Sequence, residues 1–174
     1  TFPIREGWLH KGLKLLADSP ELFLDEEVSD YLGIGRNMAK SLKHWLQVTG
    51  LAETAPSEST SSRVPLQMTN IGQLIWKHDP FLLEIGTWWI LHVNLLRDRD
   101  SASTWYWFFN KFGHERFDRA VCLESLRRYI ESEQLSVSRF RAAELLPNIG
   151  LLPNSPRSKG NPARSVLLFN VSCL

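Results

Sequence analysis

Residues 32–53 read LGIGRNMAKSLKHWLQVTGLAE, and the fold turns on this stretch. Met38, Leu42, Trp45 and Leu46 recur at spacings of three and four, the apolar stripe of an amphipathic helix. Arg36, Asn37, Lys40, Lys43 and His44 then fall on the opposite flank, which faces solvent or a ligand. Gly33 and Gly35 form a tight turn before this helix, and Gly50 ends it. Upstream, LDEEVSDYLG (24–33) is a shorter helix with Asp25 as N-cap, acidic residues in its first turn and Gly33 as its stop. Helix, tight glycine turn and second helix with a polar outer face make a helix-turn-helix. Downstream, GLAE (50–53) gives way to the turn-rich TAPSESTSSR (54–63) and then to the apolar VPLQMT (64–69). Strand, loop and returning strand form a wing, so the expected unit is a winged helix.

Helical patterns fill most of the remaining chain. GWLHKGLKLL (7–16) carries Trp8, Leu9, Leu13 and Leu16 on one face, ADSP (17–20) ends it, and Asp18 or Ser19 can cap the next segment. TNIGQLIW (69–76) is a helix capped by Thr69 or Asn70. DPFLLEIGTWWILHVNLLRD (79–98) is apolar on nearly every face, eased at Gly86, and is expected to be buried. After the turn DRDSAS, TWYWFFNKF (104–112) predicts another buried helix, and DRAVCLESLRRYIESE (118–133) an amphipathic one capped near Phe117 and Asp118. The tryptophans in these segments suit a core of bulky aromatics, with a base-stacking platform as the alternative.

The first unit has a weaker echo about one hundred residues on. SVSRFRAAELL (136–146) predicts a helix capped by Ser136 or Ser138, with Arg139 and Arg141 exposed. It leads to Gly150 and Leu151, the loop NSPRSKGNPAR and the strand-like SVLLFNV, as Gly50 and Leu51 lead to Arg63 and VPLQM. The fold class is therefore mainly α, α+β in detail: two winged helix-turn-helix units (1–75 and 117–174) joined by a buried, aromatic-rich helical middle (76–116). Exposed lysines and arginines on one helix are what solvation alone produces. Two basic helices, each followed by a wing, favour DNA. The candidate DNA-binding residues are Arg36, Asn37, Lys40, Ser41, Lys43, His44 and Arg63, then Arg139, Arg141, Arg157, Lys159 and Arg164 in the second unit.

Composition bounds the rest. The 174 residues are 43% hydrophobic and 22% charged, with a net charge of +1, so any basic patch is local. Cys122 and Cys173 are too few for a disulfide framework or a zinc site. No run approaches the roughly 18 apolar residues of a membrane span. TFPIREGWLH has no signal-peptide core, and the expected location is the cytoplasm. The chain opens on Thr1, which suggests a start further upstream. GIGRN lacks the spacing of a phosphate loop, the five histidines are scattered, and His92 reads as a core histidine. Asp98 and Asp100 are the close carboxylate pair, which flanking arginines more simply explain as surface ion pairs. The residues thus support binding and no catalytic or metal site.

REGWLHKGLKLLADSPELFLDEEVSDYLGIGRNMAKSLKHWL (5–46), GTWWILHVNLLRD (86–98) and STWYWFFNKF (103–112) together resemble the bacterial family called domain of unknown function 4007. The matching residues are Trp8, Leu9, Lys11 and Gly12, then Leu32 to Met38 with Ile34 and Arg36 as conservative changes, then Trp105 to Asn110. The resemblance covers the first two thirds of the chain. It implies a setting in gene clusters for phosphorothioate modification of DNA and defence against phage. The implied partners are DNA and the sulfur-transfer and ATPase proteins of such clusters. One member class, the B component of single-strand (Ssp) phosphorothioation systems, is a DNA nickase, which would imply Mg2+ or Mn2+. Residues 138–152 are shorter than the family pattern, so the resemblance places no nickase site here. A transcriptional regulator of the cluster, or an adaptor docking sulfur-transfer partners, needs the same fold without chemistry.

Overall fold

The computed structural model describes residues 2–5, 7–25, 27–56, 64–114 and 117–135. These form seven α-helices, one short 3-10 helix and a two-stranded sheet, so the protein is mainly helical. The chain divides into two compact units, 1–94 and 95–174.

In the first unit, α1 (Trp8–Asp18) packs on α3 (Arg36–Val48), and α2 (Val28–Leu32) packs on α3 as well. The core follows the apolar stripes: Leu13, Leu42, Leu46 and Leu51 are completely buried, and Trp45 is nearly so. α1 approaches α3 closely at Gly12, where a Cβ would stand 2.7 Å from a Leu46 methyl. Both expected glycine stops are present. Gly33 (φ 62°) and Gly50 (φ 75°) adopt the left-handed conformation that lets a helix reverse. After α3, Gly50 N–H donates to Gln47 O (3.0 Å) and Leu51 N–H to Leu46 O (2.9 Å), the Schellman pair. After α2, Gly33 and Ile34 donate in the same way to Asp30 and Ser29.

The hairpin comes directly after this stop. β1 (Ala52–Thr54) pairs antiparallel with β2 (Leu66–Met68), with Ala52 opposite Met68 and Thr54 opposite Leu66. Thr69 then caps α4 (Asn70–His78) through its hydroxyl, which accepts from Gly72 N–H at 3.0 Å. The expected cap at Ser19 is absent: its side chain makes no capping bond, and Pro20–Leu24 forms the 3-10 helix. The N-cap position of α2 is Glu27, and the expected cap Asp25 lies two residues before it, its carboxylate accepting from Glu27 N–H at 2.9 Å.

The apolar segment 79–98 departs from expectation in two ways. Its helix, α5, covers only Ile85–Arg97, because Asp79 converts the preceding residues into a turn. The buried Asp79 carboxylate accepts from Leu83 N–H (2.8 Å) and Glu84 N–H (3.0 Å). In addition, the helix is not buried on every face: Trp89 is 41% exposed, and Ile90 and Val93 are exposed too, while Leu91 and His92 are buried. Burial alone would raise the Asp79 pKa, but the Thr87 hydroxyl and the Leu83 and Glu84 amides outweigh it and hold the carboxyl below its ordinary value. A depressed folded pKa stabilises the protein above the unfolded value of about 3.9 and is lost as pH falls through the lower folded value. Asp79→Asn is expected to cost about 1–3 kcal/mol at pH 7. Urea midpoints should show the gap between variant and wild type closing below pH of about 4; a gap independent of pH would refute this account.

The described part of the second unit holds α6 (Ser103–Asn110) and α7 (Arg119–Ser132). Trp105 and Trp107 are buried, and the Trp107 ring lies 5.1 Å from Phe112 and 6.3 Å from Tyr129. These rings have no free face for a base, so here the aromatic run is core. Asp118 caps α7 by accepting from Val121 N–H at 2.9 Å. On the exposed face of α7, hydrogen bonds from Arg127 and Arg128 hold Glu124 down to about 2. Burial pushes the Cys122 thiol up to about 11, which makes it a poor nucleophile at neutral pH. No described helix is long and apolar enough to cross a membrane.

Candidate nucleic-acid interface

Among the candidate residues, Arg36, Lys40 and Lys43 come together. They stand at positions i, i+4 and i+7 of α3, one stripe of a helix. Gln47, four residues further on, extends the same stripe. All four line a groove of about 710 Å³. Its facing wall comes from the 3-10 helix and the start of α2, through Phe23, Leu24, Asp25, Val28 and Ser29. Thr54 of β1 and Val64, just before β2, also line it. Arg36 and Lys40 are exposed and Lys43 is half-buried.

The electrostatics are one-sided. None of Arg36, Lys40 and Lys43 makes an ion pair or hydrogen bond with a described residue. Arg36 opens α3, where the helix dipole is positive, and the first turn holds no acidic residue. A cation there costs about 0.3–1 kcal/mol of helix stability, and an anion bound nearby would reverse that sign. Among the described lining residues Asp25 is the carboxylate, and it comes from the segment that faces α3. At the hairpin end, Gln47 Nε2 donates to Thr54 Oγ1 at 3.3 Å.

The other candidates lie elsewhere. Ser41 is buried, its hydroxyl accepting from Phe2 N–H (2.9 Å) and donating to Asn37 O (3.0 Å), so it is committed to tethering the chain start. The expectation that Ser41 faces DNA therefore meets a buried, internally bonded side chain. Asn37 is exposed, away from the groove lining. His44 is half-buried, its ring edge-on to Trp45 at 5.8 Å. Arg63, Arg139, Arg141, Arg157, Lys159 and Arg164 lie outside the described residues, as do the second basic helix, the basic loop 154–164 and residues 57–63 of the first loop.

The residues read from sequence miss Gln47 and the whole facing wall. Gln47 was findable, since it continues the spacing of Lys40 and Lys43. The wall was not, because it comes from a segment whose conformation depends on packing against α1. Asp98 holds its own turn, its Oδ1 accepting from Asp100 N–H (3.0 Å) and Ser101 N–H (2.7 Å). No cluster of three His, Cys, Asp or Glu suited to a metal ion stands among the described residues.

Comparison with known proteins places this geometry in context. Residues 1–143 match a family model described as protein of unknown function (DUF4007). The fold is similar to a magnesium ion-bound SspB crystal structure, with TM-score 0.64 and 26% identity over 99% of this chain and 45% of that one. A second SspB crystal structure gives TM-score 0.65 and 25% identity over 99% and 46%. The chain thus spans less than half the length of these two structures. No curated protein matches it.

Proposed function

The chain belongs to the DUF4007 family of proteins of unknown function, and from that premise we propose that it is a DNA-binding component of a phosphorothioate DNA-modification and defence system. In this reading the first unit is a winged helix-turn-helix, with α2 and α3 as the paired helices and the β1–β2 hairpin as the wing. A second unit of this kind is assigned to 117–174 on the sequence repeat alone. The observation that carries the proposal is the stripe of cations on α3, unpaired among the described residues and flanked by the hairpin. Cations on one helix alone are what solvation produces, but here they share one stripe, line a groove and stand beside the hairpin, which supports a partner of opposite charge. The likeness to SspB, together with the family resemblance, supports the setting in phosphorothioation. Binding is the activity that the cationic stripe supports, and strand cleavage has its own test.

The test is titration of a short labelled duplex with the full chain between about 50 and 200 mM salt. Affinity should fall steeply with salt. Replacing Lys40 and Lys43 together by Ala should weaken binding about tenfold or more and reduce the salt slope by about 2. Unchanged binding would refute the assignment and favour an adaptor that docks sulfur-transfer proteins. Protection confined to the promoter of the cluster would favour a transcriptional regulator. Conversion of supercoiled plasmid to open circles with Mg2+ or Mn2+ would add nicking to the function.

A further inference from the structure

A helix laid into the major groove of a duplex presents a convex face, and no cavity beside it is required. Here the cationic stripe of α3 is instead one wall of a concavity of about 710 Å³, within the range of about 300–1,000 Å³ typical of small-ligand sites. The two long walls differ in chemistry. One carries Arg36, Lys40 and Lys43; the other is lined by Phe23, Leu24 and Val28. An inorganic anion would leave the apolar wall unused, and an apolar peptide would leave the cations unpaired. A nucleotide has a charged half and a flat, largely apolar half, and so uses both.

We propose that this groove takes one unpaired nucleotide of a DNA strand, its phosphate on the α3 cations and its base against the apolar wall. The proposal rests on the reading that the basic face of α3 meets DNA, and specifies the form of DNA it prefers. Asp25 sharpens it. Its carboxylate is exposed on the same wall, with Oδ1 accepting from Glu27 N–H, and there it repels a second phosphate and can accept from the amino group or ring N–H of a base. Gln47 and Thr54, hydrogen-bonded to each other at the hairpin end, offer an amide and a hydroxyl to the sugar or the base edge. A base still paired in a duplex must be extruded to enter, which costs a few kcal/mol, and a base already unpaired avoids most of that cost.

The full chain is titrated against a blunt duplex and against the same duplex carrying one bulged nucleotide. The bulged DNA should bind about tenfold tighter or more, reflecting the avoided cost of extrusion. A 2-aminopurine at the bulge should change its fluorescence on binding, as the base leaves the solvent and its stacked neighbours. Thr54→Trp fills the groove from an exposed strand position that tolerates an aromatic residue, and should bring the ratio of the two affinities close to one. Equal wild-type affinity for the two DNAs would overturn this inference and leave the DNA-binding reading standing. Loss of all binding to both DNAs would overturn that reading as well. Displacement of the bulged DNA by polyglutamate as readily as by an oligonucleotide of equal charge would also overturn the inference, since the groove would then read charge alone.

Discussion

Trp45→Ala is expected to remove about 3–5 kcal/mol of stability, the cost of truncating a large buried aromatic. Trp45 is 1% exposed and sits in the same helix as the completely buried Leu42 and Leu46. Truncation empties the centre of the first unit. It also removes the indole N–H that donates to Phe2 O at 2.9 Å, one of two bonds that tie Phe2 to α3, the other running from Phe2 N–H to Ser41. Against a total of about 5–15 kcal/mol for an ordinary domain, the loss is large. Seven tryptophans blur any single fluorescence signal, so the transition is followed by far-ultraviolet circular dichroism in urea. Trp45→Phe separates the two contributions, since it keeps most of the ring and loses the donor, with a cost of about 1–3 kcal/mol. Equal midpoints for Trp45→Ala and wild type would show that α3 is not anchored through this side chain. Arg36, Lys40 and Lys43 ride on the opposite face of α3, so under the proposed function DNA affinity should fall as the anchor weakens.

The two faces of α3 also show how far the sequence can be read. Its inward residues are legible because burial in a helix obeys a fixed period, and Trp45, Leu42 and Leu46 fall where that period puts them. Glycines 33 and 50 and the caps at Thr69 and Asp118 are legible because each answers a local backbone demand. α5 is harder. Apolarity on every face states a preference for burial without supplying neighbours, and the helix keeps Trp89, Ile90 and Val93 exposed. Its start is displaced because the Asp79 carboxylate collects the Leu83 and Glu84 amides, a bond pattern that no periodicity reports. The site divides in the same manner. The cations of α3 follow from spacing within one helix. The groove needs Phe23, Leu24 and Val28 brought across from another segment, which only tertiary packing specifies.

Gly72→Ala is expected to destabilise the protein even though alanine is the better helix former. Gly72 lies in the first turn of α4, buried, where an added Cβ would collide with the Leu51 carbonyl oxygen. That oxygen is main chain and already accepts from Thr69 N–H at 3.1 Å, the bond that joins the start of α4 to the residue preceding β1. Relieving the collision therefore means moving α4 off the hairpin or breaking this bond. The gain in helix propensity is about 1 kcal/mol, whereas overpacking costs about 1–3 kcal/mol and more against an immovable group. A net loss of about 2 kcal/mol corresponds to a fall in Tm of about 4–8 °C for a chain of this size. Gly12→Ala is the informative contrast. Its Cβ would meet methyl groups of Leu46 at 2.7 Å and Leu42 at 3.3 Å, and side chains can rotate away where a carbonyl cannot. Gly12→Ala should thus cost less than Gly72→Ala, at about 1 kcal/mol, with part of the strain offset by helix propensity. Calorimetric melting of the two variants gives the ranking directly. A Gly72→Ala protein as stable as wild type would mean that α4 is not seated on the Leu51 carbonyl, and with it the hairpin that lines the groove would lose its support.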